Sequence, residues 1–169
     1  MVCSDRAAES VYGNLEVSEM SVSYKNTVTA ESANLIRAAV GFRKIHPEQL
    51  RASLDGSAFI TAAYDGDMAV GMARLIWDGG SVALIHDIIV MPEYRGQGIE
   101  AEMTGQIFEF LRSKLKPGFG IQVDIRAWGD CAELYEGLGF LVSTPERRGV
   151  PMHICLTDQI ELTDNMFGQ

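Results

Sequence analysis

The chain has 169 residues and a mass of 18.5 kDa, which is about one domain with a full hydrophobic core. Hydrophobic residues make up 47% of the sequence and charged residues 22%, so the composition excludes a disordered or collagen-like chain. The net charge of −9 argues against a nucleic acid partner, whose backbone requires clustered Lys and Arg, and weakly favours a cationic substrate such as an amine.

The apolar pattern of the chain predicts a succession of short strands and helices. Residues 1–18 show no sustained period and are interpreted as a leader or an extra edge element, residues 19–158 as the folded domain, and residues 159–169 as a tail. The predicted elements in chain order are a strand at 20–24, a helix at 29–40, a short helix at 47–53, strands at 57–64, 68–77 and 81–90, a helix at 98–115, a strand at 121–125, a helix at 130–138, and strands at 140–143 and 152–156.

Turn residues indicate how the three central strands connect. Asp65-Gly66 and Asp78-Gly79 are typical of tight hairpin turns, so these strands should form an antiparallel meander. Apolar residues spaced three and four apart in the 98–115 segment indicate a helix with one face on the sheet. The predicted fold class is α/β (α+β), with a mixed, mostly antiparallel sheet of six to seven strands and helices on both faces.

The cysteines and the apolar runs bear on the compartment. Cys3, Cys131 and Cys155 are far apart and follow no metal-binding spacing, which favours a reducing environment and no metal. The N-terminal residues lack the apolar core of a signal peptide, and no apolar run reaches the ~18 residues of a membrane span. We therefore expect a cytoplasmic protein with no membrane partner. The sequence leaves open whether the chain forms a homodimer.

The segment VMPEYRGQGIEAEM, residues 90–103, carries the clearest chemical signal. A strand ends before Pro92, two glycines follow at Gly96 and Gly98, and a helix begins. Glycines allow successive amide groups to point inward, and a helix start offers further unpaired amides and a partial positive charge. This arrangement is suited to a pyrophosphate.

A second motif overlaps the same residues. Gly96, Gly98 and Ala101 also satisfy the dinucleotide-binding spacing, with Asp124 as a candidate ribose ligand. That fold requires the glycines directly after the strand and several further parallel βα units, whereas a Pro-Glu-Tyr-Arg stretch intervenes here. A nucleotide-dependent oxidoreductase is therefore kept only as a remote alternative.

Two motifs in order resemble the GNAT superfamily of N-acetyltransferases. Val90-Met-Pro92 followed by Arg95-Gly-Gln-Gly98 is similar to the acyl-CoA loop of that family, and Tyr135 followed by Gly139-Phe140 is similar to its second signature. The resemblance covers about residues 20–156. It implies the acyl-CoA N-acyltransferase fold and direct transfer of an acetyl group from acetyl-CoA to an amine on a small molecule or peptide, without a metal.

The resemblance also assigns roles to individual positions. It implies a backbone N–H near Ile89 or Val90 as the donor to the carbonyl oxygen, Tyr135 as the acid for the leaving thiolate, and Phe42, Arg43 and His46 as part of the acceptor wall. The cofactor-binding residues that it implies are Ile88, Ile89, Val90, Arg95, Gly96, Gln97, Gly98, Ile99, Glu100 and Tyr135.

The catalytic base is left open between neighbouring residues. His86 and Asp87 are the candidates on the strand, beside a water or a residue across the cleft. Successive strand side chains point to opposite faces, so both can face the acceptor only if a bulge intervenes. An ordinary imidazole pKa suits an ammonium better than an ordinary carboxyl pKa does, although burial of Asp87 would raise its pKa.

Glu100 departs from the family pattern, which has Gly or Ala at this position. A carboxylate there competes with a pyrophosphate for the loop amides if its side chain points inward. We expect it to point outward, so that binding survives. The main alternative is a non-catalytic acyl-CoA-binding module, in which Glu100 marks a lost activity.

Overall fold

The computed structural model describes residues 22–127, 131–144 and 146. The described part contains five strands, four α-helices and one short 3-10 turn. In chain order these are β1 (Val22–Lys25), α1 (Ala30–Ala39), α2 (Pro47–Asp55), β2 (Phe59–Asp65), β3 (Met68–Trp77), β4 (Val82–Val90), a 3-10 turn (Pro92–Tyr94), α3 (Ile99–Arg112), β5 (Gln122–Ile125) and α4 (Ala132–Gly137).

The strands form one sheet in the order β1-β2-β3-β4-β5. The first four strands pair antiparallel with their sequence neighbours, and β4 pairs parallel with β5. Gly66 in the β2–β3 turn has a φ of 56°, as the predicted tight hairpin requires. A dinucleotide-binding domain is built on a mainly parallel sheet, so this pairing excludes the oxidoreductase interpretation for the described part of the chain.

Helices cover both faces of this sheet, as predicted. The α3 face holds one apolar cluster, in which Met103 and Ile107 of α3 pack on Leu75 and Ile85 of the strands. The opposite face holds a second cluster, in which α1 and α2 pack on β3 and β4. Local signals set the helix starts: the Thr29 hydroxyl accepts from the Ser32 amide at 3.1 Å before α1, and Pro47 opens α2.

The strand count differs from the prediction. Six to seven strands are predicted, and five are present among the described residues. Residues 140–144 form no strand. The predicted partner strand at 152–156 lies outside the described residues, as do residues 1–18 and the tail at 159–169.

Candidate functional site

A β-bulge interrupts the middle of β4. Arg74 of β3 pairs with His86, and Met72 pairs with Ile89, so β4 has one more residue than β3 between these pairs. Asp87 lies in this interval with a φ of 51°, a value that side-chain-bearing residues rarely adopt. The bulge leaves Asp87 and Ile88 without a partner in the β3 register.

The bulge places both candidate bases on one face of the sheet. Ile85 and Ile88 both pack in the cluster on the α3 face, although they are three positions apart. His86 and Asp87 lie between them, and Asp87 contacts α1 on the opposite face. A bulge was the condition for the side chains of His86 and Asp87 to lie on one face. The bulge is present, and the two side chains lie together.

The Asp87 carboxylate is the centre of a buried ionic cluster. It accepts from Arg37 Nη1 of α1 at 2.7 Å and from Arg74 Nε of β3 at 2.6 Å, and His86 Nδ1 lies 3.1 Å from Oδ1. The Asp87 side chain is 3% exposed, whereas that of His86 is 48% exposed. The cluster therefore joins α1, β3 and β4 at the bulge, with only the imidazole substantially open to solvent.

The cluster lowers the pKa of Asp87. Burial of the carboxyl by itself raises its pKa, as expected from the sequence, but hydrogen bonds and positive charge from His86 and Arg74 outweigh this effect. The net result is a pKa well below the usual value, which corrects the expectation of a raised one. A carboxylate held in this way is a weak proton acceptor, so the geometry favours His86 as the base, a role that stays a prediction.

In the described part of the chain, β5 pairs with only the first part of β4. The parallel register between β4 and β5 begins at Val82 and ends at Ile85, opposite Ile125. From His86 to Val90 no described residue of β5 pairs with β4. Among residues 22–127, 131–144 and 146, no strand covers the backbone groups on this side of β4 from His86 onward, and such unpaired groups can bind a ligand that lies along a strand.

The loop between β4 and α3 is tied to the sheet. Tyr94 in the 3-10 turn is buried, and its hydroxyl donates to Asp65 Oδ2 at the end of β2 at 2.8 Å. Arg95 Nε donates to the Val90 carbonyl at 3.3 Å, so this side chain folds back on the end of β4. These contacts hold residues 91–98 in one position before α3 begins.

The two glycines give the loop the geometry that the motif predicts. Gly96 and Gly98 have φ values of 74° and 77°, and an added Cβ at either would meet nothing within 4 Å. Within the described part of the chain, no hydrogen bond from the amides at 96–101 to a protein acceptor is recorded, and Glu102 makes the first helical bond, to the Gly98 carbonyl at 3.0 Å. A run of unpaired amides at a helix start fits an anionic ligand.

Glu100 and Tyr135 lie close enough to interact. Among the described residues, no loop amide is recorded as donating to the Glu100 carboxylate, and its outward orientation stays a prediction. Tyr135 is buried and stacks edge-on with Phe140, at 6.1 Å between ring centroids. Burial raises its pKa to about 12, with a smaller contribution from the charges of Cys131 and Glu100. Tyr135 therefore stays protonated at neutral pH, and its role as a cofactor-binding residue stays a prediction.

Sequence reasoning missed the residues that support the site. Arg37 and Arg74 had one weak signal, since each is a charged residue within an apolar stretch. Tyr94 lies inside the recognised motif, but its partner Asp65 was interpreted only as a turn residue. Asn34 is also buried, and its amide bonds both the N–H and the carbonyl of Ile45, at 2.9 and 2.8 Å, so it holds the α1–α2 loop.

The described residues offer neither a metal cluster nor a membrane-spanning helix. Among residues 22–127, 131–144 and 146, no group of three or more His, Cys, Asp and Glu side chains is placed to hold a metal ion. In the same described part of the chain, none of the helices has the length and apolar character needed to cross a membrane.

Comparisons with known proteins agree with the geometry. The family profile described as "Acetyltransferase (GNAT) domain" matches residues 24–156. A curated relative, serotonin N-acetyltransferase 2, chloroplastic, from Oryza sativa subsp. japonica, is 27% identical over 124 residues, which are 71% of this chain and 60% of that protein. The chain thus spans less than two thirds of that relative.

Solved structures extend the similarity over most of the fold. A probable acetyltransferase from meticillin-resistant Staphylococcus aureus matches with a TM-score of 0.70 and 26% identity, covering 79% of this chain and 99% of that one. A GNAT family acetyltransferase from Streptococcus pneumoniae matches with a TM-score of 0.62 and 25% identity, covering 82% and 98%.

Proposed function

Because the chain belongs to the GNAT acetyltransferase family, whose members transfer acetyl groups from acetyl-CoA, we propose that it acetylates a primary amine of a small molecule or peptide. One observation carries this proposal: the open edge of β4 leads directly into a loop whose amides at 96–101 are unpaired in the described structure. The separated cysteines support a cytoplasmic location as part of the same proposal.

Acetyl-CoA would bind along β4 and across the loop. Its pyrophosphate would accept from the amides of the glycine loop, where the helix start adds about half a positive charge. Its amide-containing arm would pair with the free backbone edge at Ile88, Ile89 and Val90. These three residues span about 10 Å of strand, so a ligand that pairs along them from the loop would place its acetyl group near the bulge.

His86 would accept the proton of the attacking amine. Its Nδ1 lies 3.1 Å from Asp87 Oδ1, so the ionised carboxylate favours the tautomer with the proton on Nδ1. This tautomer leaves the Nε2 lone pair free for the acceptor. Asp87 would act as a positioning residue, because the low pKa of its carboxyl keeps it ionised.

Two further groups would stabilise the charge that develops as the thioester reacts. A backbone N–H near Ile89 or Val90 would stabilise the carbonyl oxygen, an effect typically worth about 10²- to 10³-fold in rate. Tyr135 would donate to the departing sulfur. With its pKa raised to about 12, full transfer to an ordinary thiolate is uphill by ~5 kcal/mol, so Tyr135 would assist by hydrogen bonding and its loss would slow the reaction without abolishing it.

Thermal melting and thiol release test the proposal. Acetyl-CoA should raise the melting temperature and NAD should not, and a panel of amines should release free CoA thiol. Gly98→Glu should remove the stabilisation by acetyl-CoA, because it adds a carboxylate and backbone strain at the loop. Gly118→Glu is the matched control, since Gly118 also has a left-handed φ, of 82°, and open space around it.

Glu100→Gly tests the departure from the family pattern. If its carboxylate points away from the loop, this change leaves acetyl-CoA binding unchanged or strengthens it. Weaker binding would contradict the outward orientation. Stabilisation by acetyl-CoA with no thiol release from any amine would favour the alternative of a non-catalytic acyl-CoA-binding module.

His86→Gln tests the base. It should lower kcat and remove the acid limb of the pH–rate profile, while the melting shift with acetyl-CoA is unchanged. A variant that retains the acid limb would show that another group accepts the proton.

A further inference from the structure

Arg37 and Arg74 share a single carboxylate. Both are mostly buried, with side chains 14% and 11% exposed, and both bind Asp87. No second Asp or Glu lies within ion-pair distance of either arginine among residues 22–127, 131–144 and 146. The cluster therefore has an excess of one positive charge before His86 is protonated.

An excess positive charge in a buried cluster is costly unless an anion matches it. Protonation of His86 during the proposed reaction adds a second positive charge beside the first. A negatively charged group in the acceptor would offset part of this charge. This requirement comes from the charge balance of the site and is independent of the net charge of the chain.

The segment of chain around Arg37 is also positively charged. Residues 32–47 contain Arg37, Arg43 and Lys44 and no Asp or Glu, in a chain whose net charge is −9. Arg43 and Lys44 are exposed on the α1–α2 loop, and Arg37 Nε donates to the Arg43 carbonyl at 3.3 Å. The loop is thus a local basic surface next to the ionic cluster.

Arg37 and His86 meet at the same carboxylate oxygen. Arg37 Nη1 and His86 Nδ1 lie 2.7 and 3.1 Å from the same oxygen, Asp87 Oδ1. Arg37 Nε and Nη1 are occupied, whereas Nη2 has no acceptor in the described part of the chain. A guanidinium with a free edge binds carboxylate and phosphate oxygens well.

We propose that the amine acceptor of this chain carries a carboxylate or phosphate group, and that Arg37 binds this group while His86 receives the amine. Arg37 is then a specificity-determining residue, and Arg43 and Lys44 attract the anionic acceptor to the loop. This inference rests on the proposed acetyltransferase function, and it selects one chemical class within that function.

Matched pairs of amines test the inference. Each pair differs only by the anionic group: tyrosine and tyramine, lysine and cadaverine, phosphoethanolamine and ethanolamine. We expect kcat/KM to be about 10- to 100-fold higher for the anionic member of at least one pair, the effect of one hydrogen bond to a charged group. The first two pairs report on a carboxylate and the third on a phosphate.

Variants of Arg37 test whether this residue causes the preference for anionic acceptors. Arg37→Gln should raise KM for the anionic acceptor by more than it reduces activity toward the uncharged partner, because any effect that passes through Asp87 is shared by both members of a pair, and Arg37→Lys should restore part of the preference. Arg51→Gln is the matched control, because Arg51 is an exposed arginine whose nearest carboxylate is Glu31, at 3.8 Å. If Arg37→Gln does not fold, the double variant R43Q/K44Q on the exposed loop should still reduce the preference.

A binding measurement separates this inference from the proposed function. With CoA present, N-acetyltyrosine should stabilise the protein against heat more than N-acetyltyramine does, and Arg37→Gln should remove that difference. This result together with no thiol release from any amine would overturn the enzymatic function and retain the anion site. Equal or faster turnover of the uncharged amines, or an equal loss for both members of a pair in Arg37→Gln, would overturn the inference alone.

Discussion

Replacing Asp87 with asparagine leaves Arg37 and Arg74 without a carboxylate in the described structure. The amide also presents an N–H₂ group where one guanidinium donates, so one hydrogen bond becomes a contact between two donors. Removal of one partner from a buried ionic cluster typically costs about 3–5 kcal/mol. A domain has only about 5–15 kcal/mol of unfolding free energy, so Asp87→Asn should lose a large part of it at neutral pH.

The loss of unfolding free energy in Asp87→Asn should become smaller as the pH falls. The pKa of Asp87 lies below its ordinary value of 3.8 in the folded state, so the folded state binds this proton less tightly than the unfolded state. The stabilisation is present in full above the ordinary pKa and is lost as the pH falls through the folded-state pKa. The difference between the wild type and Asp87→Asn should therefore shrink on acidification.

Urea unfolding at neutral pH and at several values down to about pH 3 measures both quantities. Asp67→Asn is the control, because Asp67 is exposed in the β2–β3 turn and its replacement should change the unfolding free energy by less than ~0.5 kcal/mol. A loss below about 1 kcal/mol for Asp87→Asn, or a loss that is the same at all pH values, would refute the reasoning.

Other predictions concern packing, the loop and the acid. Gly71→Ala should destabilise the fold by about 1–3 kcal/mol in thermal melts, because the added Cβ would lie 3.2 Å from both a backbone oxygen and a side chain of β4. Gly105→Ala should instead stabilise the fold by ~0.5–1 kcal/mol, because Gly105 lies within α3 and has open space around it. Tyr94→Phe should cost about 1–2 kcal/mol and reduce the melting shift with acetyl-CoA, because it loses the 2.8 Å bond to Asp65; an unchanged shift would show that this bond does not hold the loop. Tyr135→Phe should lower kcat in the thiol-release assay with unchanged acetyl-CoA binding, and an unchanged kcat would leave the phenol a packing role alone.

Local patterns in the sequence were sufficient to predict most of the elements. The bounds of β3 agree with the prediction, and those of β2 and β4 differ by one or two residues. Thr29 and Pro47 mark the helix starts, and apolar spacing places α3 on the sheet. These features depend on neighbours within a few residues, so the order of residue types along the chain is enough to determine them.

The conformation of the glycine loop also follows from residues that are close together in the sequence. Positive φ values at Gly96 and Gly98 follow from the residue type and the motif, and the start of α3 follows from its apolar period. The sequence was therefore enough to identify the family, and the anion site that it predicts at this loop stays a prediction.

The arrangement of the candidate base was decided by tertiary structure. Alternation along a strand places His86 and Asp87 on opposite faces, and only the pairing of β4 with β3 creates the bulge that brings them together. The pKa of Asp87 is lowered by His86 beside it and by Arg74, which is 13 residues away along the chain, and the carboxylate also binds Arg37, which is 50 residues away. A register and an ion pair are set by groups that meet only when the chain is folded, and no local pattern of residues contains that information.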